Sequence, residues 1–259
     1  MTAVTRFAVS TPTRAPTGRT NAYVVGDADA ALLVDPSDDN ERLDEACVTH
    51  DVRHIAVTHT HPDHVGAVAD YAKRTGATVW ARYGHEDHFE AATGVTPDRT
   101  FREGTTIPGV DVTVLDTPGH ARDHVSFVAD DSILCGDLAM GQGSVVVGGP
   151  DGDMRSYLTS LRRVWARDPA ELCPGHGPVI KDPRETCERL IRHRLDREAK
   201  VLAAVEGGAS TLDEILDAAY EKDLTGVEDL ARATVDCHLD KLVAAGRVDR
   251  KGDRFVPVA

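Results

Sequence analysis

The chain has 259 residues, 41% of them hydrophobic, and a formal net charge of −14 at pH 7. That length accommodates one large domain plus a small one, and no apolar run approaches the length of a membrane span. An excess of negative charge this large argues against polyanion binding in dilute salt, and the first twenty residues lack the apolar core of a signal peptide, so the expectation is a soluble, cytoplasmic protein.

Phe7 to Ser10 reads as a first strand, and Asn21 to Val34 as a hairpin around Asp27-Ala28-Asp29. Glu41 to His50 is helical. Arg53 to Thr58 is a short apolar run with β-branched residues, a buried strand. It leads into THTHPDH, Thr58 to His64, which supplies His59, His61, Asp63 and His64. His59 and His61 stand at i and i+2, a spacing that points both side chains the same way in extended chain. Pro62 disfavours helix at His61. Asp63 and His64 then open a helical pattern running from Val65 to Thr75, which Gly76 ends.

Thr78 to Arg82 is a strand, and His85 and His88 follow at i, i+3 on a short helix. Three further strands each end just before a titratable residue. Val110 to Leu115 precedes His120, Ser132 to Cys135 precedes Asp137, and Glu171 to Cys173 precedes His176. Side chains at strand ends converge on one edge of a sheet, where loops carry function. Between them, Gly148 to Asp153 is a turn cluster that reads equally as a lid or a plain loop. Met154 to Arg167 is an amphipathic helix with Leu158, Leu161, Val164 and Trp165 on one face.

Arg184 to Val205 is a long charged helix, and Gly207-Gly208 is the linker signal, dividing the chain into 1–206 and 207–259. The pattern then changes to a short helix, Thr211 to Tyr220, a second, Glu228 to Ala245, and a hairpin from Val248 to Val258. Helix, helix, two-stranded wing is the order of a winged helix, a fold that often contacts nucleic acid. Thr211 to Ala259 holds 11 acids against 7 bases, however, which favours a packing or dimerisation module.

Imidazole nitrogens and carboxylate oxygens in this number suit Zn²⁺ or another first-row ion. Two such ions with open positions make a hydrolytic centre. The five cysteines have no paired spacing, as expected in a reducing compartment. Cys173, three residues before His176, reads as a core residue rather than a ligand. Asp outnumbers Glu by 30 to 13 and Arg outnumbers Lys by 23 to 6. That bias resembles proteins of high-salt cytoplasm, where salt screens self-repulsion.

The series H-x-H-x-D-H, then His, Asp and His, resembles the metallo-beta-lactamase superfamily at every position, over about Arg19 to His193. The resemblance implies an α/β fold, an αββα sandwich of two mixed sheets. It implies that His59, His61 and His120 hold one metal and that Asp63, His64 and His176 hold a second. Asp137 would join the two together with a shared hydroxide, and Asp63 would also handle a proton. Two Zn²⁺ are expected, with Mn²⁺ or Fe²⁺ as alternatives. Because Asp137 stands where antibiotic-degrading members generally have Cys or Ser, the chain looks like the other hydrolases of the family. Thr117 to Phe127, Gly149 to Leu161 and His193 to Leu202 are similar to the beta-lactamase-like subgroup that includes an endoribonuclease. The resulting expectation places single-stranded RNA first as substrate. A small thioester or lactone comes second, with Arg82, Arg122 and Arg155 available for an anionic carrier. A mononuclear iron dioxygenase and a non-enzymatic metal-binding regulator are the remaining alternatives, and a homodimer is the one protein partner considered.

Overall fold

The computed structural model describes residues 2–220 and 223–258. Six strands form the first sheet in chain order: β1 (Val4–Ser10), β2 (Arg19–Asp27), β3 (Ala30–Val34), β4 (Val52–Ala56), β5 (Thr78–Arg82) and β6 (Arg99–Phe101). The first three form an antiparallel meander, and β3 to β6 run parallel. Helices α1 (Glu41–Thr49), α2 (Pro62–Val65), α3 (Val68–Thr75) and α4 (Glu86–Thr93) lie among these strands in the chain. The second sheet has the order β10-β9-β8-β7, built from β7 (Val112–Asp116), β8 (Val125–Ala129), β9 (Ser132–Gly136) and β10 (Glu171–Pro174).

Strand alternation builds the layers. On β2, Ala22 and Val24 face one apolar cluster while Tyr23 and Val25 face another. Leu33 and Leu32 on β3 divide in the same way. The first cluster takes in Leu43 of α1, Val68 and Tyr71 of α3 and Phe89 of α4. The other joins the two sheets through Val112, Val114, Phe127 and Leu134. On the far side of the second sheet, Ile133 and Cys135 pack under α5 (Met154–Arg167) and α6 (Pro183–Glu206) with Tyr157, Leu158, Leu161 and Leu190. Helix, sheet, sheet, helix is therefore the order of layers, as the resemblance implies. Strands buried on both faces read as continuous apolar runs, so β8 (VSFVA) carried no period-2 signal and went unread in the sequence.

One expected helix is divided. The pattern opened by Asp63 and His64 and running to Thr75 breaks at Gly66 and Ala67 because the Ala67 N–H donates to the carbonyl of Pro36 at 2.9 Å. Gly66 lies so close to the Ser37 carbonyl that a side chain would collide with it. The turn after β3 thus docks under the ligand-bearing helix and brings Asp35 to the site.

Strand direction determines where the loops emerge. β7 and β9 are both antiparallel to β8, so they run the same way, and β10 is parallel to β9. The loops that follow β7, β9 and β10 therefore leave one edge of the second sheet. Backbone bonds tie that edge to the first sheet, from Val125 N–H to the Thr58 carbonyl at 2.8 Å and from Asn21 N–H to the Gly175 carbonyl at 2.7 Å.

The C-terminal region consists of α7 (Leu212–Ala219), α8 (Glu228–Ala244) and the antiparallel pair β11 (Val248–Lys251) and β12 (Arg254–Pro257). Thr211 caps α7 in a capping box with Glu214. Ile215, Leu216, Val235, Leu239, Leu242, Val248 and Phe255 form a separate core that also takes in Val201 and Val205 from the end of α6. Among the described residues, no helix is long and apolar enough to cross a membrane.

Candidate metal centre

His61 sits at the N-cap of α2 with extended backbone (φ −65°, ψ 145°), and Pro62 occupies the first helical position. The extended i, i+2 arrangement therefore holds. His61 Nδ1 lies 3.0 Å from His59 Nε2 and 2.9 Å from His120 Nε2. Three nitrogens from two loops face one point. Beside them, His176 Nε2 is 3.5 Å from Oδ2 of both Asp63 and Asp137. Asp137 Oδ1 lies 3.6 Å from His64 Nε2, and Asp137 Oδ2 lies 3.6 Å from His120 Nε2. All seven residues selected from the sequence thus come together, in the two expected groups, with Asp137 facing both. The ligating atoms of His59, His61 and His120 lie within 4.8 Å of one another, as do those of Asp63, His64 and His176.

Each ring except that of His61 is held from behind. His120 Nδ1 lies 2.6 Å from the Val146 carbonyl and His176 Nδ1 lies 2.8 Å from the Arg19 carbonyl. Carbonyls only accept, so both rings carry their proton on Nδ1 and turn the Nε2 lone pair inward. His64 Nδ1 donates to Asp35 Oδ2 at 3.0 Å. Asp35 also accepts from the Thr58 N–H at 2.6 Å and the Thr58 hydroxyl at 2.7 Å. With its proton given to Asp35, Thr58 Oγ1 accepts from His59 Nδ1 at 3.1 Å. A single buried carboxylate therefore fixes two imidazoles. Partners of this kind set tautomer and ring orientation at metal sites.

Asp35 went unnoticed in the sequence. Its one signal is its place directly after a buried apolar strand, where it adopts a left-handed φ of 52° that Asp tolerates better than most residues. His124 supports the site from behind. Its Nε2 accepts the backbone N–H of Asp137 at 3.2 Å, and its Nδ1 pairs with the Thr117 hydroxyl at 2.9 Å. Burial, reinforced by His120, pushes the His124 imidazolium down to about 3, so the ring is neutral. Gly136, at φ 45°, lets this packing close; a Cβ there would stand 2.5 Å from Thr58 Oγ1 and 2.9 Å from His124 Nε2.

The donor set is strained electrostatically in the way a cation would relieve. Burial holds the His59 imidazolium well below its usual value, and the surrounding imidazoles add to this. At His64 burial also opposes charge, but Asp137, Asp35 and Asp63 outweigh it and raise the group to about 9. Burial works against the Asp137 carboxylate, yet His64, His176 and His120 hold it well below the ordinary carboxylate range. His64 Nε2 and Asp137 Oδ1 are both buried with no hydrogen-bond partner. Buried polar atoms left unpaired in this way cost free energy unless something occupies the space between them. The space is kept open by Gly175, where a Cβ would lie 2.5 Å from Asp137 Oδ1 and 2.7 Å from His64 Cε1. Five imidazoles and two carboxylates fit a divalent first-row ion.

The family model of the metallo-beta-lactamase superfamily matches residues 15–176, a span that holds all seven of these side chains. The chain belongs to the metallo-beta-lactamase superfamily. It is similar to a beta-lactamase-like protein 2 homolog of Drosophila melanogaster, 28% identical over 90% of this chain and 86% of that protein. An atrochrysone carboxyl ACP thioesterase of Aspergillus fumigatus is 26% identical over 91% of this chain and 78% of its own length. Among solved structures, a metallo-beta-lactamase family protein of Thermus thermophilus shares the fold at a TM-score of 0.79, with 23% identity and 98% of each chain covered. As a member of this superfamily, the chain is a metallo-hydrolase.

Above the metallo-beta-lactamase centre lies a cavity of about 750 Å³. His61, Asp63, His120, Asp137 and His176 line it together with Pro12, Ala15, Met140, Val145, Val146 and Leu230. Among the described residues, Arg14 is the only Lys or Arg in that lining. The three arginines considered for an anionic carrier are engaged elsewhere or lie away from it. Arg82 binds Asp116 and the Arg122 and His124 carbonyls, and Arg122 binds the Pro150 carbonyl. Neither they nor Arg155 line the cavity, and His85 and His88 are also absent from it. Tyr157 and Asn21 serve as buried ties: Tyr157 donates to the Leu138 carbonyl at 2.9 Å and Asn21 to the Pro174 and Gly177 carbonyls, both at 2.8 Å. Cys173 is a core residue between the sheets. The Gly148 turn reaches the cavity wall through Gly148 itself.

Proposed function

We propose that this chain is a dinuclear metal-dependent hydrolase of acyl thioesters. The observation that carries this reading is the lining of the cavity. Apolar side chains dominate it, and the one Lys or Arg among its described residues, Arg14, is already engaged by an acidic partner, Asp229. RNA cleavage, placed first from the sequence, calls for a basic path along which a phosphate chain can lie; the cavity offers none, and the chain carries −14. A thioester calls for an apolar surface for its acyl group beside the reacting carbon. The thioesterase name of the Aspergillus fumigatus relative supports the same order.

His59, His61 and His120 would hold one ion and Asp63, His64 and His176 the other, with Asp137 serving both. Bound there, divalent ions supply Lewis acidity and lower the pKa of water toward neutrality. The protein residues do the rest. Four rings fixed through Nδ1 aim Nε2 at the centre without rearrangement. Asp63 lines the cavity, and Oδ2 is held by the Thr13 hydroxyl at 2.5 Å. Its other oxygen is left to accept the proton of the attacking water and return it to the departing thiolate. The apolar wall excludes bulk water from the acyl group and orients the carbonyl toward Asp63.

The test is hydrolysis of acyl thioesters by zinc-loaded protein, followed by thiol release, with end-labelled single-stranded RNA alongside. Thioester turnover with intact RNA supports the reading. RNA cleavage without thioester turnover overturns it and restores the order expected from sequence. The same assay with manganese and with iron selects the ion.

A further inference from the structure

We infer that the first turn of α8 decides which acyl group the centre accepts, because Leu230 lines the same cavity as His61, His120 and Asp137. This rests on the thioester reading. Leu230 lies outside the span matched by the family model, which ends at residue 176. Its presence in the cavity is therefore a property of how this C-terminal region docks.

Three sets of contacts fix the docking. Arg14, on the segment between β1 and β2, makes a two-pronged bond to Asp229, with Nη1 to Oδ2 at 2.5 Å and Nη2 to Oδ1 at 3.1 Å. The neighbouring Thr13 holds Asp63, so one short strap joins a candidate ligand to the start of α8. Further along the helix, Gly148 lies against Ala233 so closely that a Cβ would stand 2.5 Å from its backbone. Cys237 enters the apolar cluster beneath α5. Leu230 is thus held at the cavity that Met140, Val145 and Val146 also line.

The chemistry of the preferred substrate follows. The charge of Arg14 is satisfied by Asp229, and Pro12, Ala15, Met140, Val145 and Val146 line the cavity with Leu230, so it suits an uncharged apolar acyl group. With about 750 Å³ available, the cavity has room for a group larger than acetyl. Leu230 is a specificity-determining residue: a larger side chain shortens the site and a smaller one extends it.

The experiment compares zinc-loaded wild type, Leu230→Trp and Leu230→Ala on acetyl, hexanoyl and decanoyl thioesters of N-acetylcysteamine. Melting temperature and metal content are measured for each protein. The ratio of decanoyl to acetyl kcat/KM is expected to fall at least about tenfold in Leu230→Trp, the scale on which apolar pockets discriminate size, and to rise in Leu230→Ala. Ratios within roughly twofold of wild type in both variants, with native melting and metal content, overturn the inference while leaving the thioester reading intact. If wild type hydrolyses none of the three esters, the reading itself fails. Decanoate affinity by calorimetry then decides the role of Leu230: weaker binding in Leu230→Trp supports the wall, and equal binding overturns it.

Discussion

The two ends of the cavity are built on different principles. At the metal end, every imidazole but one is tied through its rear nitrogen, and two glycines leave room only for the packing observed. At the α8 end, a half-buried leucine and an exposed ion pair, with side chains 57% and 65% accessible, form the wall. The first arrangement fixes atoms to within a bond length; the second fixes a surface. Chemistry that depends on orbital direction needs the former, and recognition of an apolar group needs only the latter. An exposed pair such as Arg14 and Asp229 contributes at most about 1 kcal/mol, so the α8 end can vary without disturbing the metal end.

The largest expected effect breaks the metal end alone. Asp137→Ala removes the one carboxylate facing both groups, and metal content and activity fall together to background. Elemental analysis of the purified variant checks this, and a metal-replete, active variant would falsify it. Next in size is Asp35→Asn, which leaves every candidate ligand in place but weakens the hold on His64 and Thr58. Metal affinity should drop about 10–100-fold, as it does when such supporting partners are lost, and competition with a chelator measures it. By contrast, Asp229→Asn should leave metal content at the wild-type level and act on KM. A change in metal affinity there would erase the distinction between the two ends.

pH sharpens the same contrast. His64 is raised to about 9 in the metal-free protein, so at pH 7 it is protonated and a metal must displace that proton. Metal uptake should release protons into weakly buffered solution, and affinity should weaken by roughly tenfold per pH unit for each proton displaced as pH falls. Because the folded value lies above the unfolded one, the charged His64 stabilises the metal-free fold fully below about pH 6.5. That contribution is lost as pH rises through about 9. Metal-free protein should therefore lose melting temperature across that window while loaded protein does not. The smallest effect concerns the whole surface. If the Asp and Arg bias reflects a high-salt cytoplasm, melting temperature should rise between 0.1 and 2 M KCl; a flat response would remove that reading.

The sequence made the metal end legible because its residues are chemically distinctive and each closes a strand. His59 and His61 announce themselves by spacing, and Asp137 and His176 by the glycine turns around them. Asp35 was hidden because a lone aspartate after a strand looks like any turn residue, and its role depends on a contact 29 positions away in the chain. β8 was hidden because burial on both faces erases alternation. The helix from Asp63 to Thr75 looked continuous because the bond that divides it comes from Pro36, outside any local window. At the α8 end the helices and hairpin were readable from periodicity, but the presence of Leu230 in the cavity was not. Nothing in a helix's own pattern says which distant loop it will cover.

The proposed function requires that the seven side chains form one two-metal centre. The most direct measurement is calorimetric titration of metal-free wild-type protein with Zn²⁺ at pH 7.5, with the ions per chain counted independently by elemental analysis. Two ions per chain, bound with release of protons, are expected. One ion, or none, would contradict the proposed function.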